Sequence, residues 1–153
     1  MENLGLIFSV AGAVFAPLLS GIGSAIGVGR AGQASAGILV DQPERFGNCL
    51  ILQLLPGSQG IYGMIVAVMI LLNCGILGGE IPNTDIGLKY FLASMLMGFG
   101  GLVSAIFQSK VSVSGINMIA KRANGFGNAM MLALMVETYA LLALLISILI
   151  VIL

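Results

Sequence analysis

The sequence predicts an all-α membrane protein whose four transmembrane helices form two tandem-duplicated helical hairpins. Three observations lead there. Of 153 residues, 59% are hydrophobic and only 8% charged, whereas a soluble domain carries roughly 25% charged residues. The apolar residues fall into four long uncharged stretches. Two turn segments share the triplet Phe-Gly-Asn at a separation of 80 residues.

With so few charges the chain has no means of covering a water-facing surface, and lipid must be its solvent. A membrane-spanning helix needs about 20 apolar residues. The uncharged stretches run from Asn3 to Gly29, Phe46 to Gly79, Tyr90 to Ser109 and Ala123 to Leu153, the last interrupted only by Glu137. They are continuous rather than alternating with period two, which favours helices over a barrel. Residues 1–153 then form a single membrane domain, with a first hairpin over 1–79 and a second over 80–153. A net charge of zero and the absence of histidine leave no electrostatic footprint for a nucleic acid. Cys49 and Cys74 both fall in the second stretch. Placed far apart on one helix they cannot pair within a chain, and they read as small packed hydrophobes.

The first helix begins in MENLGLIFSV, which lacks the basic start of a cleaved signal, so it is expected to be retained. It carries Gly21, Gly23, Ala25, Gly27 and Gly29, a spacing that lets helix backbones approach closely. That face serves either packing within the chain or a crowded inner layer of first helices around an axis. The first turn, DQPERFGN, places Asp41 as an N-cap with Pro43 in the first turn of the second helix. Within that helix Pro56 cannot donate to the carbonyl of Leu52, which predicts a kink. The outer link GGEIPNTDIG (78–87) is rich in turn residues. The third helix holds Gln108 and Lys110, and AKRANGFGN (120–128) leads into the fourth.

An offset of 80 superimposes Phe46-Gly47-Asn48 on Phe126-Gly127-Asn128, and also pairs Leu54 with Leu134 and Arg30 with Lys110. SAG at 35–37 lines up with VSG at 113–115 if two extra loop residues are allowed. These matches indicate a duplicated hairpin. Under the same offset Glu137 falls on Gly57, so the first hairpin has no acid. Arg30, Arg45, Lys110, Lys121 and Arg122 lie in or beside the two turns, while Glu2, Glu80, Asp85 and Lys89 lie near the other side. The positive-inside rule puts both turns in the cytoplasm and both termini outside.

From Ala123 onward Glu137 is the only charged residue. A charge at the bilayer centre costs at least about 2.5–3.5 kcal/mol, which makes it a functional-site candidate. Its distance from the C-terminus, about 24 Å of helix, is too long for snorkelling. Leu55, Ser58, Gln59 and Tyr62 stand at i, i+3, i+4 and i+7 and share one face of the second helix. Gln108 is nearly level with Glu137 in an antiparallel hairpin. Lys110 is level too, but lies about 200° around the helix from Gln108, and whether Lys110 or Arg30 neutralises the acid is open at this point. A proton needs only the carboxylate and one hydrogen-bond partner. A dehydrated alkali cation needs several oxygens, and Ser58, Gln59, Gln108, Glu137 and a freed backbone carbonyl supply about that number. The surplus of neutral oxygens favours Na+ over H+.

These residues also carry a resemblance. GIGSAIGVG (21–29), QPERFG (42–47), LQLLPGSQGIYG (52–63), FQSKV (107–111) and MVETYA (135–140) resemble the proteolipid, subunit K, of prokaryotic V-type rotary ATPases, above all the Na+-translocating branch. The resemblance implies a homo-oligomeric ring with Glu137 facing outward. It implies Na+ ligands at the Leu55 carbonyl, Ser58, Gln59, Gln108 and Glu137, with Tyr62 bonded to Glu137 and locking the site. Ser58 stands where threonine is usual in that branch, and the hydroxyl is kept. The resemblance also implies partners: a soluble ATPase head, central-stalk subunits, and a stator membrane subunit bringing a basic side chain to displace the ion. Catalysis would then belong to those partners, since the chain has no P-loop pattern. The setting implied is a prokaryotic plasma membrane. A stand-alone small transporter built on inverted repeats fits less well, because the two hairpins run in the same orientation and only one has an acid.

Overall fold

The computed structural model describes residues 3–153; Met1 and Glu2, the latter used in the charge count above, lie outside them. Four segments are long and apolar enough to cross a membrane: Leu4–Leu39, Pro43–Asn73, Thr84–Lys121 and Phe126–Ile152. Helix α1 is Leu4–Leu39. The second span is α2 (Phe46–Leu54), a single 3-10 turn at Leu55–Gly57, and α3 (Ser58–Asn73). Helix α4 is Thr84–Lys121 and α5 is Phe126–Ile152.

The helices outrun the uncharged stretches at some ends and fall short at others, and each discrepancy has a local cause. Charged residues near a helix end reach the interface and do not stop it, so α1 runs through Arg30 and α4 includes Asp85, Lys89, Lys110 and Lys121. The second span ends at Asn73 rather than Gly79. Gly75 and Gly79 adopt φ of +83° and +74°, and the chain folds back with a bridge between Cys74 and Gly79 and a 2.8 Å bond from Gly75 N to Gly78 O. Left-handed φ is a glycine conformation, so apolar composition alone did not reveal this turn. Cys74 therefore follows α3 rather than lying on it; both cysteines are free and buried. Asn83 caps α4 by accepting from Ile86 N at 2.9 Å.

Pro43 does occupy the start of its turn, but the cap position before it is Gln42, not Asp41. The Gln42 side chain has another task. Its Nε2 donates to Ala120 O at 3.2 Å and its Oε1 accepts from Arg45 Nε, which ties the first turn to the end of α4.

The duplication holds in three dimensions. The 3-10 turns Pro43–Arg45 and Ala123–Gly125 and the helix starts Phe46 and Phe126 keep the 80-residue offset, as do the N-caps Asn3 and Asn83. The offset is the same before α1 and α4 and at the turns that follow them, although α4 runs on to Lys121 where the offset from Leu39 gives 119. Helices α1 and α4 pack along each other as the central pair, with α3 against α1 and α5 against α4. The two central helices run parallel. A Cβ on Gly23 would lie 2.7 Å from Leu102 Cα, and one on Gly27 would lie 3.1 Å from Ala105 O and 2.7 Å from Pro56 Cβ. Gly23 and Gly27 thus pack within the chain, Gly27 making room for the proline turn, whereas Gly21 and Gly29 meet nothing within 4 Å.

Close approach makes a strong prediction. Gly23→Ala sets a methyl against fixed backbone and should cost about 1–3 kcal/mol, whereas Gly37→Ala, with nothing within 4 Å, should be neutral or slightly stabilising. Thermal unfolding in detergent followed by circular dichroism checks both.

Candidate ion-binding site

The site is built from three helices. On α5 the buried residues are Ala129, Ala133, Glu137, Ala140, Ala143, Ser147 and Val151, a helical stripe that is small everywhere around the acid. The alanines one turn either side of Glu137 let α4 come close, and Glu137 is left only 7% exposed. On the second span Pro56 removes one helical N–H. The chain tightens there into the 3-10 turn, where the Leu55 carbonyl accepts from Ser58 N and, at 3.0 Å, from Ser58 Oγ. The turn sets the phase of α3, which then points Gln59 and Tyr62 toward α4 and α5.

Four of the predicted residues form one hydrogen-bonded chain. Tyr62 Oη donates to Glu137 Oε1 at 2.5 Å. Gln108 Nε2 donates to Glu137 Oε2 at 3.3 Å and to Ala133 O at 3.2 Å. Gln59 Nε2 donates to Gln108 Oε1 at 2.6 Å. Each carboxylate oxygen thus has one neutral donor, as a buried carboxylate requires. Ser58 Oγ donates to the Leu55 carbonyl and lies beside the Tyr62 hydroxyl; among the described residues neither Ser58 nor that carbonyl bonds to Glu137. Both glutamines are fully buried, and Gln59 Oε1 has no hydrogen-bond partner.

Ser104 joins the network and was not anticipated. Its hydroxyl accepts from Gln59 Nε2 at 3.4 Å and donates to Val136 O at 3.2 Å. The signal was present, because Ser104 stands four residues before Gln108 and so on the same helix face. The open question of the basic residues also resolves. Lys110 is exposed, its Nζ 4.6 Å from the Phe107 ring centroid, and it lines an open groove with Arg30 and Gln33 away from the acid. Among the described residues, Glu137 is held by neutral groups.

Chemically, this is a single buried carboxylate inside a shell of amide, hydroxyl and carbonyl groups, a design suited to taking up and releasing one small cation. With the four spans, it defines an ion-translocating membrane proteolipid. The chain belongs to the ATP synthase C-subunit family, which matches it twice, over residues 11–70 and 91–150. The two matches keep the same 80-residue offset as the hairpins, and ring assembly is typical of the family. The chain is 45% identical to the V-type sodium ATPase subunit K of Enterococcus hirae, over 98% of this chain and 94% of that one. It is 36% identical to the A-type ATP synthase subunit K of Methanocaldococcus jannaschii, over 94% of this chain but 61% of that longer protein. Its identity to the 16 kDa proteolipid of the human V-type proton ATPase is 28%, over 92% of this chain and 88% of that one. Membership makes this chain a multi-pass, ion-translocating component rather than a catalytic one.

The network separates two neighbours on α4. Gln108→Ala removes the shorter of the two Gln59 Nε2 bonds and leaves one Glu137 oxygen without its donor, and should destabilise the protein by about 1–3 kcal/mol. Exposed Lys110→Ala should stay within about 0.5 kcal/mol. Denaturation midpoints in detergent measure the difference.

Proposed function

We propose that this protein is the rotor-ring ion carrier of a prokaryotic V-type ATPase and that it binds Na+ at Glu137. The bound ion would be held by Glu137, Gln108, Gln59, Ser58 and the Leu55 carbonyl, with Tyr62 holding the carboxylate in place. The observation that carries the choice of ion is Gln59 Oε1. It is a buried acceptor without a donor, one hydrogen bond from the residue that holds the carboxylate. Leaving such an atom unsatisfied costs about 1–3 kcal/mol, and a cation in the site removes that cost. The oxygens of an alkali-ion shell are largely neutral, as here. The Enterococcus hirae relative is named as a sodium ATPase subunit, which supports the same choice.

The mechanism follows from the cost of a charge in hydrocarbon. An empty, ionised Glu137 is confined to positions where a basic group of the stator membrane subunit or water compensates it. Na+ binding cancels the charge, and only then does the site pass lipid as the ring turns. Rotation would come from ATP hydrolysis in the soluble head, delivered through the central stalk. Both turns would face the cytoplasm of a prokaryotic plasma membrane, with both termini outside. Residues 1–153 act as one membrane domain, the hairpin 1–79 without the acid and 80–153 with it.

A carbodiimide, which attacks only protonated carboxylates, tests the ion choice. At fixed pH, Na+ should protect Glu137 from labelling in purified rings and K+ should not. Protection by raised pH alone, indifferent to Na+, would mean that the site carries H+, as the human relative's name states for that protein. Glu137→Gln should leave assembly intact and abolish transport, measured as Na+ uptake into vesicles.

A further inference from the structure

A serine hydroxyl carries one proton and two acceptor lone pairs. Ser104 gives its proton to Val136 O of α5 at 3.2 Å, so toward any other neighbour it can only accept. Gln59 of α3 meets it with Nε2 at 3.4 Å. The same Nε2 donates to Gln108 Oε1 at 2.6 Å. An amide nitrogen has two hydrogens, and α4 takes both, one with Gln108 and one with Ser104. Gln59 Oε1 is the end left over, buried and without a donor.

Gln108 has no freedom to offer anything else. Its own Nε2 is committed to Ala133 O and to the acid, so only its oxygen remains for Gln59. Ser104 fixes the second hydrogen, and no other side chain near it does so. The groove of ≈ 370 Å³ that Ser104 lines is formed otherwise by Gly100, Val103, Phe107, Val136 and Tyr139. The first four bring no polar side chain, and Tyr139 is 72% exposed. Without Ser104 that N–H faces apolar lining unbonded, which is costly for a buried donor. The amide then has less reason to keep its oxygen turned away from α4.

We infer that Ser104 is a positioning residue for Na+: it locks the Gln59 amide with both hydrogens on α4 and its oxygen free for the ion, without touching the ion itself. This role rests on the sodium reading above and names a residue that sets the choice. A proton on Glu137 is served by Tyr62 and Gln108, and Ser104 hydrogen-bonds neither of them. Ser104 therefore strengthens the site for Na+ and is indifferent to H+. Its bond to the carbonyl of Val136, the residue before Glu137, also ties the setting of the amide to the turn of α5 that carries the acid.

Carbodiimide labelling of Glu137 in purified rings, read by the mass of the labelled peptide, tests the role in two titrations. Ser104→Ala should raise the Na+ concentration that half-protects Glu137 roughly three- to tenfold. The pH at which labelling is half lost without Na+ should stay where it is in the unsubstituted protein. Ser104→Thr keeps the hydroxyl and should restore the Na+ midpoint. An unchanged Na+ midpoint in Ser104→Ala overturns the inference while leaving the sodium site standing. Na+ and pH midpoints that move together show general loosening of the site and overturn it too. If the alanine variant does not assemble, Ser104→Cys fills the same space with a weak acceptor and must show the rise; no rise there overturns the inference. Absence of Na+ protection in the unsubstituted protein removes the sodium reading and this role together.

Discussion

A carboxylate inside hydrocarbon must either be compensated or lose its charge, and the rest of this structure is arranged around that constraint. Glu137 is neither paired with a cation nor reachable from water by its own length. The chain surrounds it instead with donors from two other helices, Tyr62 and Gln108. Bringing three helices that close requires small residues on every facing surface. The alanine stripe on α5 supplies them beside the acid, and behind the site Gly23 of α1 lets α4 pack close. The proline turn at Leu55–Gly57 needs room as well, and Gly27 provides it. Site chemistry and packing are one problem here.

Duplication explains why the fold is so regular and the function so asymmetric. Turns, caps and helix starts recur at one offset, and the family match repeats at that same offset. Yet the polar groups have been divided between the halves. The second hairpin carries the acid and Gln108, while the first carries the amide of Gln59 and the phenol of Tyr62 that join their network. Neither hairpin holds the whole hydrogen-bonded network around Glu137, which draws on both. The positions equivalent to the acid and its amide, Gly57 and Val28, became apolar.

Much of this was legible in the sequence because membrane proteins obey few rules strictly. Four apolar runs gave four spans, and one charge in an uncharged helix marked the site. The i, i+3, i+4, i+7 stripe correctly put Gln59 and Tyr62 on the face toward Glu137. What the sequence hid was decided by backbone torsion or by competition. The left-handed glycines at 75 and 79 ended α3 early inside an apolar run. Gln42 took the cap position from Asp41, and its side chain spans to Ala120 rather than serving its own turn. Ser104 was overlooked because a serine in a membrane helix usually bonds its own preceding turn, as Ser20 does to Ala16 O at 2.7 Å. The glycine face of α1 had two possible addressees, and geometry divides it: Gly23 and Gly27 turn to α4 and the proline turn, while Gly21 and Gly29 stay open.

The lengths of the central helices bear on mechanics. With 36 and 38 residues, α1 and α4 are about 54 and 57 Å long, well beyond the ~30 Å of hydrocarbon, whereas α5 has 27. The surplus forms stiff paired rods, and at the turn end Gln42 clamps one hairpin to the other through Ala120. A sideways force applied to either turn is therefore borne by both rods at once, and the lever they make carries it down to the depth of Glu137 without a flexible joint in between.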